Sequence, residues 1–466
     1  MGVLILGGEV VTASDRFHAD VYTQGEIVAA LLAGIDGAFQ SNEEDVVLDA
    51  SGCYVIPGGV DVSTYFEWGL RGPVTVDDFE VGTMAGLCGG TTTVVDHAAA
   101  EHGETLMDAY ERRRSQAEDK VASDYSFHMV VTDWDDDVRK EVADVRQHGI
   151  SSFAVSMASR DRGGLDDAEL LAMLQRVHEV GGLAAVRALN GIVQVALADK
   201  YIAEGKTGPE WRARSQPVGV ESEAIGRASE YAALAEQPLY VTRVSSGEAV
   251  ARVREARRRD RVIYAGTCPH YLLLSEDLYD QAGMEGAKYL VSPPLRSRED
   301  QAALWAALST GSVQVVCSDH AAFTFAEQKS LGLDDFRLIP DGMCGVQERL
   351  SLMFSYGVLA GRISLNQWVQ VCCTNPAKIF GLYPRKGTVA VGADADLVIF
   401  DPNAEGTISA ETHMSQADYN PYGGFVLRGL PRHVLLRGQI VVESGEFRGE
   451  AGSGRFLQPG PSISPR

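Results

Sequence analysis

Asp319 closes the run "VQVVCSD", and a carboxylate in such a place serves as a base, a metal ligand or the partner of a buried cation. Other apolar, β-branched runs also end on reactive types: Ser63 and Tyr65 after "YVIPGGVDV", Asp96 and His97 in "TTTVVDH", Arg187 in "LAAVRA" and Arg243 in "LYVTRV". Ser63 and Tyr65 stand two apart, which on an extended chain points both the same way. Tyr65 and Asp319 make an acid and a base. The forked guanidiniums of Arg187 and Arg243 match a carboxylate or phosphate, or would neutralise Asp319 if buried beside it. His97 is read as structural. His270, in "TCPHYLL", is read the same way, with a ring able to reach a pocket mouth. By strand alternation His320 faces away from Asp319. Cys317 faces the same way as Asp319 and is read as a buried, inert thiol.

The elements that must position these residues follow from rhythm. Eight apolar runs ("YVIPGG", "TTTVVDH", "YSFHMVV", "SFAVSM", "LAAVRA", "LYVTRV", "VIYAGTC" and "VQVVCSD") alternate with amphipathic stretches such as "DDAELLAMLQRVHEVGG". Eight strand-then-helix units predict a closed (β/α)8 barrel, with a doubly wound open sheet as the competitor; in a barrel, chemistry sits at the C-terminal strand ends. Both chain ends instead alternate apolar and polar around Gly and Asp turns, as in "LILGGEVVTA" and "RHVLLRGQIVVESGEF". The expected organisation is therefore a β-sandwich built from 1–52 and 385–452, a barrel over 53–384, and a Pro/Ser-rich, flexible tail over 453–466.

The totals exclude several classes. A formal net charge of −23 argues against a nucleic-acid partner, and the one basic run, "ARVREARRRDR", reads as a solvated helix end. Seven cysteines without regular spacing make no disulfide framework. The N-terminus lacks the basic and apolar regions of a secretory signal, and no apolar run approaches the ~18 residues that span a bilayer. A cytoplasmic protein without a membrane partner is expected.

Taken in order, "VIPGGVD", "GTMAGLCGGTTTVVDH", "TCPHYLLLSEDLY", "YLVSPPLR", "SDHAAFTFAEQKSLGLDDF" and "TNPAKIFGLYPRKGTVAVGADADLVIFDPN" resemble the dihydropyrimidinase/hydantoinase family of cyclic amidohydrolases over nearly the whole chain. The resemblance implies a barrel plus sandwich and a two-metal centre held by four histidines, a carboxylated lysine and an aspartate. Carried over by position, the first two histidines fall on Ser63 and Tyr65, the lysine on Ala154, the next two histidines on Arg187 and Arg243, and the aspartate on Asp319. Arginine keeps its proton and has no lone pair to lend, and zinc wants roughly four ligands. Of the family's substrate contacts Ser292 is retained, whereas Ser159 and Asp341 stand where a tyrosine and an asparagine are expected.

The expectation drawn from this is a hydantoinase-like chain without metal or cofactor that does not carry out metal-dependent cyclic amide hydrolysis, its pocket rebuilt around Arg187, Arg243 and Asp319. One alternative is a metal-independent enzyme for cyclisation, elimination or rearrangement of a molecule bearing a carboxylate. A second is a non-catalytic scaffold or regulatory subunit, as the dihydropyrimidinase-related proteins are in that family. The ligand expected is a small carboxylate or amide. The resemblance further implies a homotetramer or dimer.

Overall fold

The computed structural model describes residues 2–33, 44–70, 72–158 and 163–465. Ser159 lies outside the described residues. Among them, eight parallel strands form one sheet in sequence order: Gly59–Asp61, Thr91–Ala99, Asp124–Val131, Ser152–Ser156, Leu183–Arg187, Leu239–Val241, Ile263–Thr267 and Val315–Val316. The first and last meet just beyond their ends, where Thr64 bridges His320 in parallel and the Tyr65 amide donates to the His320 carbonyl at 2.9 Å. This contact nearly closes the ring, giving the (β/α)8 barrel. Its strands are buried on both faces, which explains their continuous Val/Ala/Ile runs.

The second unit is two sheets. One pairs Ile27–Leu32, Asp20–Gln24, Gly2–Leu6 and Val46–Asp49; the other runs from Glu446–Phe447 through Gln439–Glu443, Val426–Leu436, Leu397–Thr407 and Tyr54–Pro57 to Glu9–Val11 and Arg16–His18. Val3, Ile5 and Val10 from the start of the chain share one core with Leu397, Ile399 and Leu435 from its end. Strand alternation turns Val398 and Phe400 the other way, into the barrel's core.

Two expectations are corrected. The run "YVIP" was assigned to the barrel, but Tyr54–Pro57 pairs antiparallel with Leu397–Phe400 in the sandwich; the first barrel strand begins at Gly59. Between them the chain presses against the second strand so closely that a Cβ on Gly58 would lie 2.1 Å from the Thr92 hydroxyl. Glycine is required there by contact. The tail expected to be flexible is docked instead. Phe456 packs among Tyr110, Tyr125 and Phe127, Leu457 donates its amide to the Tyr125 carbonyl, and Ile463 donates to that of Lys378.

Charge ties the two units together. Lys386, fully buried, donates to Asp124 of the barrel at 2.6 Å and to Asp396 of the sandwich at 2.7 Å, and Arg437 pairs with Asp124 from the other side. Inside the barrel the neutral rings of His97 and His128 lie in register on adjacent strands, 5.0 Å apart. His128 Nε2–H donates to the Val62 carbonyl at 2.9 Å, and Nδ1 accepts from the Ser152 hydroxyl.

Burial lowers the His128 pKa from 6.5 to about 4. The unfolded chain therefore binds this proton first, so the stability His128 contributes is present above pH ~6.5 and is lost as pH falls through about 4. Chemical denaturation of His128→Gln should show an acid-side loss smaller than the wild type's by about 3 kcal/mol. Identical pH profiles would refute this account.

Candidate functional site

The C-terminal ends of the barrel strands surround a cavity of about 100 Å³ lined by Tyr65, Arg187, Arg243, Ser292, Asp319 and Asp341, among others. Each side chain arrives from a different element. Tyr65 follows the first strand, Arg187 ends the fifth, Arg243 lies two residues past the sixth and Asp319 three past the eighth. Asp319 is held in the left-handed region at φ +57°, a conformation that Asp tolerates better than most residues. That backbone turn places its carboxylate in the mouth, while the preceding Ser318 amide is fixed by the buried Asp61.

Arg243 is the partner of Asp319. Its Nη1 donates to Oδ2 at 3.0 Å and to the Ser292 carbonyl at 3.3 Å, and its Nη2 donates to the Tyr65 hydroxyl. Ser63 Oγ faces the other carboxylate oxygen at 3.3 Å. Burial pushes the Asp319 carboxyl up to about 6, working against the Arg243 and Arg187 charges that favour ionisation. Burial likewise pushes the Tyr65 phenol up to about 12, so it keeps its proton while its oxygen accepts from Arg243. Tyr65 stacks on His97 with ring centroids 4.2 Å apart and an angle of 8°, and Trp68 closes on its edge.

Arg187 is placed differently from its expected role beside Asp319. Among the described residues its one hydrogen bond is from Nη2 to Ser292 Oγ at 3.1 Å, and no carboxylate lies within salt-bridge reach of it. Burial, and then the neighbouring charge of Arg243, lower its pKa. Ser292 relays the contact to Gln216, whose Oε1 accepts at 2.9 Å. Asp341 lines the cavity but pairs with Arg212, which is buried. His320 points away from Asp319, as alternation predicts: Nε2–H donates to Asp77 at 2.9 Å and Nδ1 accepts from the Gly345 and Val346 amides. Cys317 donates to the Thr267 carbonyl and touches Cys268.

The two-metal set that the resemblance implied does not fit the six positions. Ala154 offers no donor, Arg187 and Arg243 offer no lone pair, and Asp319 is engaged by Arg243 and Ser63. Loss of every metal donor from the mouth is nevertheless not shown. Cys268, His270 and Asp319, all buried, bring one donor atom each within 4.8 Å of one another. Burial holds His270 neutral, with a pKa lowered to about 3, and its Nε2 has no partner. Cys268 is a candidate donor that the sequence reading did not single out. The available signal was the i, i+2 spacing of Cys268 and His270 in "TCPH". Nothing local marks Arg212 or Gln216.

A parallel barrel with a buried carboxylate past its last strand, joined to a sandwich made from both chain ends, defines an amidohydrolase-type barrel. The amidohydrolase family pattern matches residues 54–446, and the chain belongs to that family. It is 44% identical to the D-hydantoinase of Geobacillus stearothermophilus over 98% of its own length and 96% of that protein. It is 40% identical to the D-hydantoinase of Ralstonia pickettii, covering 98% and 99% of the two chains. The crystal structure of dihydropyrimidinase from Brevibacillus agri NCHU1002 superposes with a TM-score of 0.96, at 43% identity and complete coverage of both chains.

These similarities overturn the expectation of a chain that has lost cyclic amide hydrolysis, and with it the alternatives of a repurposed metal-independent enzyme and a non-catalytic scaffold. The proteins it matches from end to end are named hydantoinases and dihydropyrimidinase.

The Arg243–Asp319 pair makes a stability prediction. Arg243→Leu leaves a buried carboxylate without its cation and should cost about 3–5 kcal/mol; Arg243→Leu with Asp319→Leu should recover most of it. Urea denaturation of the three proteins checks this, and a double variant no more stable than the single one would contradict it.

Proposed function

We propose that the chain hydrolyses a small cyclic amide of the hydantoin or dihydropyrimidine kind. The observation that carries this reading is the end-to-end similarity to D-hydantoinases at 44% identity, with the same barrel and sandwich throughout. The cavity supports it, offering about 100 Å³ at the mouth for a small ring.

Within that cavity the chemistry divides among Tyr65, Arg243, Asp319 and Ser292. The Tyr65 hydroxyl accepts from Arg243, which leaves its own proton available to the ring carbonyl oxygen. As water adds to that carbon, negative charge grows on the oxygen, and a fixed, desolvated donor stabilises it more than bulk water does. Asp319, steadied by Arg243 and Ser63, accepts the proton of the attacking water. The ring C–N bond then breaks, the nitrogen takes that proton, and the product is an open-chain acid. Ser292 and Asp341 border the ring.

Hydantoin and dihydrouracil are the substrates to try first, with and without added zinc or manganese. Steady turnover is expected, and Tyr65→Phe should lower kcat/KM on the order of a hundredfold. Absence of turnover of any cyclic amide under all conditions would defeat the reading.

We read the assembly as a two-fold homotetramer or dimer. Ile192, Leu234, Leu333 and Leu338 are exposed apolar side chains that such an interface could cover. No helix among the described residues is long and apolar enough to cross a membrane, and the cysteines are free, in keeping with a cytoplasmic setting. Light scattering at micromolar concentration should give a dimer or tetramer; a clean monomer would dispose of the assembly.

A further inference from the structure

Arg187 is an expensive residue to keep where it stands. A buried guanidinium beside another guanidinium, with Asp341 and Asp319 near enough to be felt but no carboxylate among the described residues in salt-bridge contact, destabilises the free protein. Its polar contact is slight, one hydrogen bond donated to Ser292 Oγ, which passes its own proton to Gln216 Oε1. Its Nε and that of Arg243 are buried without partners. Both side chains reach the same residue, Arg187 the Ser292 hydroxyl and Arg243 the Ser292 carbonyl, so their forks converge on one wall of the cavity. The other carboxylates of the mouth are engaged, Asp319 by Arg243 and Asp341 by Arg212. Among the described residues, the guanidiniums of Arg187, Arg212 and Arg243 thus meet two carboxylates, Asp319 and Asp341, a balance that favours an anion small enough for about 100 Å³.

We propose that Arg187, aided by Arg243, is the receptor for the carboxylate of a ring-opened ureido acid, so that the site binds the open chain in preference to the ring. This rests on the cyclic-amide reading above, because ring hydrolysis there generates that carboxylate: water adds its oxygen to the carbonyl carbon and gives one proton to Asp319, the C–N bond breaks, the nitrogen takes that proton and the new acid ionises. A guanidinium fork meets both oxygens of the product and one at most of the neutral ring. Product therefore holds the site and competes with substrate.

Calorimetric titration of the full chain with N-carbamoylglycine, its uncharged primary amide and inorganic phosphate tests this. The acid should bind at least about tenfold more tightly than the amide and compete with hydantoin turnover. Arg187→Met should lose that preference and, without ligand, unfold at a higher temperature than the wild type, because an uncompensated charge is removed. Equal affinity of wild type for acid and amide would overturn the proposal, even if Arg187→Met failed to fold. So would phosphate binding as tightly as the acid. Turnover of hydantoin with no preference for the acid would sink this site alone; preference for the acid without turnover of any ring would sink the hydrolase reading and leave the carboxylate site standing.

Discussion

A carboxylate buried beyond the last barrel strand needs a cation, and in this protein Arg243 supplies it. The pair sits where the first and eighth strands meet, so the same few residues close the ring and build the pocket. The Tyr65 amide donates to His320, the Ser318 amide to Asp61, and Arg243 links Asp319 to the Tyr65 hydroxyl. Charge neutralisation and ring closure therefore lie side by side, the first through side chains and the second through the Tyr65 and Ser318 amides. A change at Arg243 acts on the first, where several kcal/mol of desolvation are balanced at one point.

The same principle recurs away from the pocket. Asp96 is buried with Arg113 at 2.7 Å and accepts from the Thr64 hydroxyl and the Phe66 amide, which fixes the segment carrying Tyr65. Glu221 is met by Arg296 and by the Ser245 amide and hydroxyl. Lys386, Arg437 and Arg385 together neutralise Asp124, Asp394 and Asp396 where barrel, sandwich and tail join. In each case a buried acid has its cation and its hydrogen bonds. Arg187 departs from the pattern, and that departure makes it informative. Satisfied ion pairs describe a fold, whereas an unsatisfied charge lining a cavity describes a ligand.

Family membership and site chemistry bear on function at different strengths. End-to-end similarity places the chain among hydantoinase-like amidohydrolases, and no single position outweighs it. Substitutions at Ser63, Tyr65, Ala154, Arg187 and Arg243 had been read as loss of activity because each was judged against one ligand set. In three dimensions those positions are neither empty nor inert. Tyr65, Arg243 and Asp319 form a connected hydrogen-bonded group, and Cys268 and His270 bring further donors to the same carboxylate.

The barrel and the sandwich were legible in the sequence because periodicity is local: apolar runs read as two-sided strands, alternating ones as one-sided strands, and the positions after each run mark the mouth. Asp319, Tyr65, Arg187 and Arg243 were located that way, and His320 was turned outward by alternation alone. What only the tertiary structure decided were relations between distant strands. Which arginine meets Asp319 depends on how far each rises past its strand end, Arg243 by two residues and Arg187 by none. Tyr54–Pro57 joins the sandwich because Leu397–Phe400 returns beside it from the far end of the chain. The tail docks because Phe456 finds an aromatic pocket that no local pattern announces. Cys268 and His270 approach Asp319 across the seam between neighbouring strands. Such pairings are set by ring closure and register, which residue order constrains but does not spell out.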